Sequence, residues 1–169
     1  IEYKHIKRVE HLLQNVNENL WAFRETGTYM FYRLAKGAVL YEDGSWLNEI
    51  RERLDKLPES FWEALRESFF YSAEHNLVDL KSAVLQKDDL FYLLSLSGFI
   101  KSICSFLFAV NHRFEPSGRQ LFDQTLALNT LPENFRGRFH SILREDPEFP
   151  PERKQEIAEL MTRSMINLM

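Results

Sequence analysis

Residues 90–111 read LFYLLSLSGFIKSICSFLFAVN, and the reading of this stretch decides the fold. Residues 90–110 make a run of 21, mostly apolar and long enough to span a membrane. Lys101 stands in the middle, and Ser95, Ser97, Ser102 and Ser105 dilute the run. A lone lysine at mid-bilayer is expensive. The stretch therefore predicts a buried core helix, with no membrane partner. On a helical wheel, Ser95, Gly98, Ser102, Ser105 and Ala109 share one arc, and Leu93, Leu96, Ile100, Ile103, Leu107 and Val110 share the opposite one. A small-residue arc admits a neighbouring backbone at close range, or leaves room for a ligand. The helix ends abruptly, LFAVNHRF at 107–114, in Asn111, His112 and Arg113. A solvated helix end and the rim of a ligand pocket both account for that change.

Outward from this helix, residues 59–86 carry Trp62, Leu65, Phe69, Ala73, Leu77, Leu80 and Val84 as one apolar stripe opened by Pro58. Gln86-Lys87-Asp88 breaks the chain, and Asp88 or Asp89 caps the central helix. A helix led by Ser45 places Trp46, Ile50 and Leu54 on one face. Residues 119–128 predict a shorter helix. Pro132 starts another with Phe135, Phe139 and Leu143 inward. Pro147, Pro150 and Pro151 form a stiff linker to a last helix, 152–167, with Ile157, Leu160, Met161 and Met165 on one side. Near the N-terminus, residues 3–16 have helical spacing. Residues 29–34 and 38–41 are rich in β-formers and flank Lys36-Gly37, which predicts a β-hairpin. The expected fold is mainly α: an antiparallel helical bundle with a short N-terminal helix and that hairpin.

With 27% charged and 44% hydrophobic residues, the chain has a globular composition. A net charge of -4 argues against a broad basic surface for nucleic acid. The single cysteine, Cys104, excludes an intrachain disulfide and fits a reducing cytoplasm. It reads as a small buried hydrophobe, because no neighbour in sequence would lower its pKa. No two of the five histidines have the i, i+4 spacing of a helical zinc site. The chain starts at Ile1 without methionine, and its first residues read as the end of a strand in a longer protein.

The helix before the central one carries a polar row, Ser72, Asn76 and Asp79, with Glu74 and His75 in the same two turns. Such a row marks either the waterline of a bundle or a wall facing a polar ligand.

The stretch YSAEHNLVDLKSAVLQKDDLFYLLSLSGFIKSICSFLFAVNHRFEPSGR, 71–119, resembles the C-terminal region of polymerase-β-like nucleotidyltransferases, aminoglycoside nucleotidyltransferases among them. It shows a helix with a polar row, a break ending in an acid, and a long apolar helix ending in Leu-Phe-Ala-Val-Asn, followed by Pro116 and Arg119. The resemblance implies three regions: the end of an α/β nucleotidyltransferase core at 1–44, a helical substrate-binding bundle at 45–146, and a Pro-started C-terminal helix at 147–169. It implies transfer of NMP from an NTP such as ATP to a hydroxyl acceptor, either a small hydroxylated molecule or a nucleotide. Glu74 and Asp79 become candidate catalytic bases, and Ser72, Asn76, Asn111 and Arg119 candidate substrate ligands. The family's catalytic signature is a Gly-Ser turn followed by two carboxylates that hold Mg²⁺. Gly44-Ser45 leads only to Asp55-Lys56-Leu57, so the signature is missing and this chain alone is not expected to catalyse transfer. Mg²⁺ and NTP would belong to a catalytic core before Ile1 or on a partner chain, with Glu2 the one candidate metal ligand here.

A rival reading is a non-enzymatic helical interaction module, either the partner of a minimal nucleotidyltransferase or a toxin–antitoxin-type bundle. Arg136 and His140 fall one residue short of the Arg-x-four-to-six-His pattern of helical ribonucleases. A homodimer is compatible with either reading.

Overall fold

The computed structural model describes residues 5–41, 44–146 and 148–169. The described residues are mainly helical and contain no strand. In chain order the helices are α1 (Ile6–Gln14), α2 (Leu20–Thr26), α3 (Tyr29–Lys36), α4 (Trp46–Asp55), α5 (Glu59–Gln86), α6 (Asp89–Val110), α7 (Leu121–Leu126), α8 (Phe135–Leu143) and α9 (Pro151–Met165), with a closing 3₁₀ turn at Ile166–Leu168.

The α5–α6 pair forms the centre of the fold. Lys87 adopts a left-handed conformation at φ 55°, and the Asp88 N–H closes back on the Ala83 carbonyl at 3.1 Å. That six-to-one bond is a Schellman stop. Asp88 then turns around to cap α6, accepting from the Phe91 N–H at 2.9 Å. Two residues thus end one helix and start the next, which sends α6 back antiparallel along α5. Phe99, Ile103, Phe106 and Leu107 are fully buried. Burial of each such side chain contributes about 1.5–3 kcal/mol. By length and composition α6 could cross a membrane; its C-terminal half is instead enclosed by the rest of the chain, Ser102 to Ala109 being buried without interruption. The small-residue arc explains the close pairing: a Cβ on Gly98 would overlap the Asn76 side-chain oxygen across the interface. Leu93, on the apolar arc opposite the small residues, lies outside at 61% exposure.

The remaining helices pack around this pair: α9 and α2 lie on α5, α8 on α9, α7 on α6, and α4 on α3. Within α8 the inward residues are Phe135, Phe139 and Ile142, and within α9 Ala158, Met161, Thr162 and Met165. Leu143 and Leu160, expected inward, are at 38% and 45% exposure, because the buried face lies one position earlier on α8 and is centred on the small Ala158 on α9. Ser45 precedes α4, but its hydroxyl donates to the Glu49 carboxylate and caps no backbone group.

The expected β-hairpin is absent. Residues 29–36 form helix α3, and residues 38–41 follow it without regular structure. Tertiary contacts override the local β preference. Phe31 is fully buried against Phe23 of α2 (5.0 Å between ring centroids) and Phe61 of α5 (6.5 Å). Both ends of α3 are also satisfied from a distance. At its C-terminus Arg51 donates to the Leu34 and Gly37 carbonyls at 3.0 and 2.7 Å, where a cation also suits the helix dipole. At its N-terminus stands the carboxylate of Glu115.

Candidate functional site

The end of α6 answers the question posed by LFAVNHRF. His112 takes the left-handed conformation at φ 50°, and the Arg113 N–H bonds the Phe108 carbonyl at 2.9 Å. This is a second Schellman stop. The His112 ring stacks on Trp62, 5.3 Å between centroids and 9° between planes, and its Nε2 lies 3.2 Å from Glu59 Oε2. Asn111 is a staple. Its Nδ2 donates to the Leu107 and Thr130 carbonyls at 2.8 and 2.9 Å, and its Oδ1 accepts from the Thr130 N–H at 2.8 Å. Asn111→Ala is therefore expected to cost about 1 kcal/mol by chemical denaturation, with no loss of ligand binding elsewhere.

Beyond the stop, Phe114 packs edge-on against Phe31 and tilted against Trp62. This seats Glu115 beside the start of α3. The Thr28 N–H donates to Glu115 Oε2 at 2.7 Å, and the Glu115 N–H donates to Thr28 Oγ1 at 2.8 Å. The reciprocal pair is a capping box assembled from residues 87 apart, and it places an anion at the positive end of α3. Gly27 makes room for it. Its φ is +67°, and a Cβ there would overlap Glu115 Oε2 and stand 2.9 Å from Cδ.

Glu115 is 93% buried, at 7% exposure, yet its Oε1 has no hydrogen-bond donor among the described residues. Burial pushes the carboxyl above its ordinary range. Ser105, the Thr28 N–H and the charge of Lys101 oppose that shift. The Ser105 hydroxyl favours the ionised form without meeting hydrogen-bond geometry on Oε1. A cavity of about 320 Å³ adjoins the carboxylate, with Thr26, Tyr29, Lys101 and Ser105 on its walls and the turn 116–118 at its edge. The arrangement is a half-open cleft with one carboxylate, one lysine and the hydroxyl-bearing Thr26, Tyr29, Ser105 and Ser117. It suits a ligand that offers an O–H or N–H. Cys104, next to Ser105, is fully buried, and desolvation pushes its thiol up to about 12, which makes it inert.

The residues singled out from the sequence lie elsewhere. Ser72 donates to the Ser68 carbonyl at 3.0 Å. Asn76 donates to the Ser72 carbonyl at 2.7 Å and meets Ser102 Oγ at 3.5 Å. This part of the polar row is a helix–helix contact of α5 with α6. Asp79 lies 3.5 Å from His75 on an outward face, and Glu74 is exposed. Asn111 lies nine residues beyond Ser102 on α6, about 13 Å along its axis, so the structure does not bring it to Asn76. Arg119 is exposed in the turn after Gly118, beside the Glu115 cavity and outside its lining. Glu2 lies outside the described residues. Sequence reasoning misses Glu115; an acid between Phe114 and Pro116, with the glycine that makes room for it far upstream, is the available signal.

Residues 13–119 match the family described as Domain of unknown function (DUF4037). The chain belongs to this family. No curated protein and no solved structure matches it. The DUF4037 segment runs from the end of α1 through α6 to Arg119. It contains Gly27, Thr28, Lys101, Ser105 and Glu115, and leaves out α7, α8 and α9.

Proposed function

We propose that this DUF4037 chain is the substrate-binding helical part of a nucleotidyltransferase, and that the acceptor hydroxyl is received at Glu115. The order of elements around 71–119 supports the enzyme class by resemblance. One observation carries the site: a buried carboxylate oxygen without a donor among the described residues, beside a cavity of about 320 Å³. A bound hydroxyl would donate to Oε1. As its oxygen attacks the α-phosphate of the nucleotide, its proton passes to that carboxylate. A carboxyl raised above its ordinary range is a stronger base for this step. The charge of Lys101 favours the ionised form of Glu115 against the larger effect of burial.

Mg²⁺ and the NTP, in this reading, are held by a catalytic core outside this chain. Among the described residues no three His, Cys, Asp or Glu side chains converge as a metal site. The enzyme would work in the cytoplasm.

The test is binding by the full chain of 2-deoxystreptamine, glucose and adenosine, followed by amide NMR. At least one is expected to move the Thr28 and Glu115 amide signals, and Glu115→Gln should weaken that binding about tenfold or more. Failure of all three to move either signal, or equal binding by the variant, sinks the acceptor site.

A second reading, the interaction module, is favoured by a different observation. Leu85, Leu90, Leu93 and Leu94 are each more than 60% exposed at the α5–α6 tip. A nucleotidyltransferase core or a second copy of the chain would cover them. Light scattering separates a monomer from a dimer.

A further inference from the structure

Away from the Glu115 cavity, the outer face of α5 carries an apolar seam that the rest of the described chain leaves uncovered. Tyr71, Val78 and Leu85 follow one another two turns apart, and each is more than 60% exposed. Residues at that spacing return to nearly the same side of a helix and suit contact with a second helix. On helical wheels oriented by the Asn76–Gly98 approach, Leu90 and Leu94 of α6 fall on the same side of the hairpin, next to Leu85 at its tip.

Two features say what covers this face. The first is charge. Glu74 and Lys81 border the seam on one edge, Glu74 just before Val78 and Lys81 just after it. If two copies of α5 lie antiparallel and cross near Val78, Glu74 of each stands opposite Lys81 of the other. The same register seats each Tyr71 ring among the partner's Leu85, Leu90 and Leu94. Lys81 already meets Glu159 of α9 at 3.1 Å, and its ammonium has further N–H groups to donate. The face is thus complementary to itself, as a twofold dimer requires. The second feature is area. These five side chains expose roughly 350 Å² of apolar surface, or about 700 Å² over two copies. That approaches the apolar share of a small stable interface, which buries about 1,200 Å² in all.

We infer that the chain forms a twofold dimer through this face, with the two α5 helices antiparallel and crossing near Val78. The dimer is independent of the Glu115 site. It rests on the interaction-module reading and gives that module a definite partner.

The test is sedimentation equilibrium of the full chain from about 1 to 200 µM, with helical content followed by circular dichroism. The parent is expected to be half dimeric at about 10 µM. Leu85→Glu should weaken the dimer about tenfold or more at unchanged helical content, since the side chain is 83% exposed. Glu74→Lys and Lys81→Glu each set like charges together at both junctions and should weaken it about tenfold. An equimolar mixture of these two variants restores opposite charges at both junctions and should associate about as tightly as the parent. A parent still monomeric at about 200 µM overturns the dimer and leaves the interaction module to a partner of different sequence. Association of Leu85→Glu at the parent's strength overturns the face. A mixture no tighter than its two components overturns the antiparallel register. If Lys81→Glu loses helical content along with its Glu159 contact, Leu85→Glu and Glu74→Lys still decide.

Discussion

Gly27→Ala is expected to remove roughly 3 kcal/mol of folding stability, lowering the thermal midpoint by about 6–12 °C, and to abolish binding at the Glu115 cavity. Two effects combine. At φ +67° a side chain is strained wherever it points, at about 1–2 kcal/mol. The new Cβ would also overlap Glu115 Oε2. The carboxylate has no cheap way to move aside, because Oε2 is buried and held by the Thr28 N–H at 2.7 Å. Displacing it strands that N–H at the start of α3, which costs about 1–3 kcal/mol. Thermal and denaturant unfolding of the variant measure the sum. A loss under about 0.5 kcal/mol would mean the carboxylate gives way freely and the site is not built as described.

Glu115→Gln should act in the opposite direction on stability while weakening the proposed acceptor binding. The folded-state pKa of Glu115 is raised, first by desolvation. A raised carboxyl contributes stability that is fully present below its unfolded value, near 4.5, and is lost as pH rises through the folded value. The stability of the parent relative to the Glu115→Gln variant should therefore fall as pH climbs above about 4.5, then level off once Glu115 is ionised in the fold. Above the folded-state pKa the variant should be the more stable by about 1 kcal/mol, since its amide oxygen still accepts from Thr28 and no charge is buried. Glu159 runs the other way. Its carboxyl is held low by Lys81, 3.1 Å away, and by Gln155, so its contribution is lost as pH falls. It is common to both proteins and cancels in the difference. Parallel pH–stability curves for the two would show that Glu115 is not strained by burial.

The long helices were legible because each carries many turns of apolar spacing. The stop at Gln86-Lys87-Asp88 was legible as well, since its chemistry is local. Helix α3 was not. Its TYMFYRL composition favours a strand, and its helical state rests on Phe31 in the aromatic core, Glu115 at one end and Arg51 at the other. The polar row on α5 was visible, but periodicity alone does not distinguish an Asn facing a ligand from one facing Gly98. Glu115 was hidden for the same reason as α3: its partner Thr28 is 87 residues away, and no spacing rule spans that distance.

The two-residue link between α5 and α6 has a kinetic consequence. Contacts of that pair beside the link are close in sequence and form at little loop-closure cost, and each shortens the loop for the next, such as Asn76–Ser102 farther along. Thr28 and Glu115 meet only after the N-terminal helices dock on this hairpin. The same order in reverse puts their junction in a unit that opens before the central helices do. The acceptor proposed for Glu115 would then enter through partial opening, with the α5–α6 hairpin still intact.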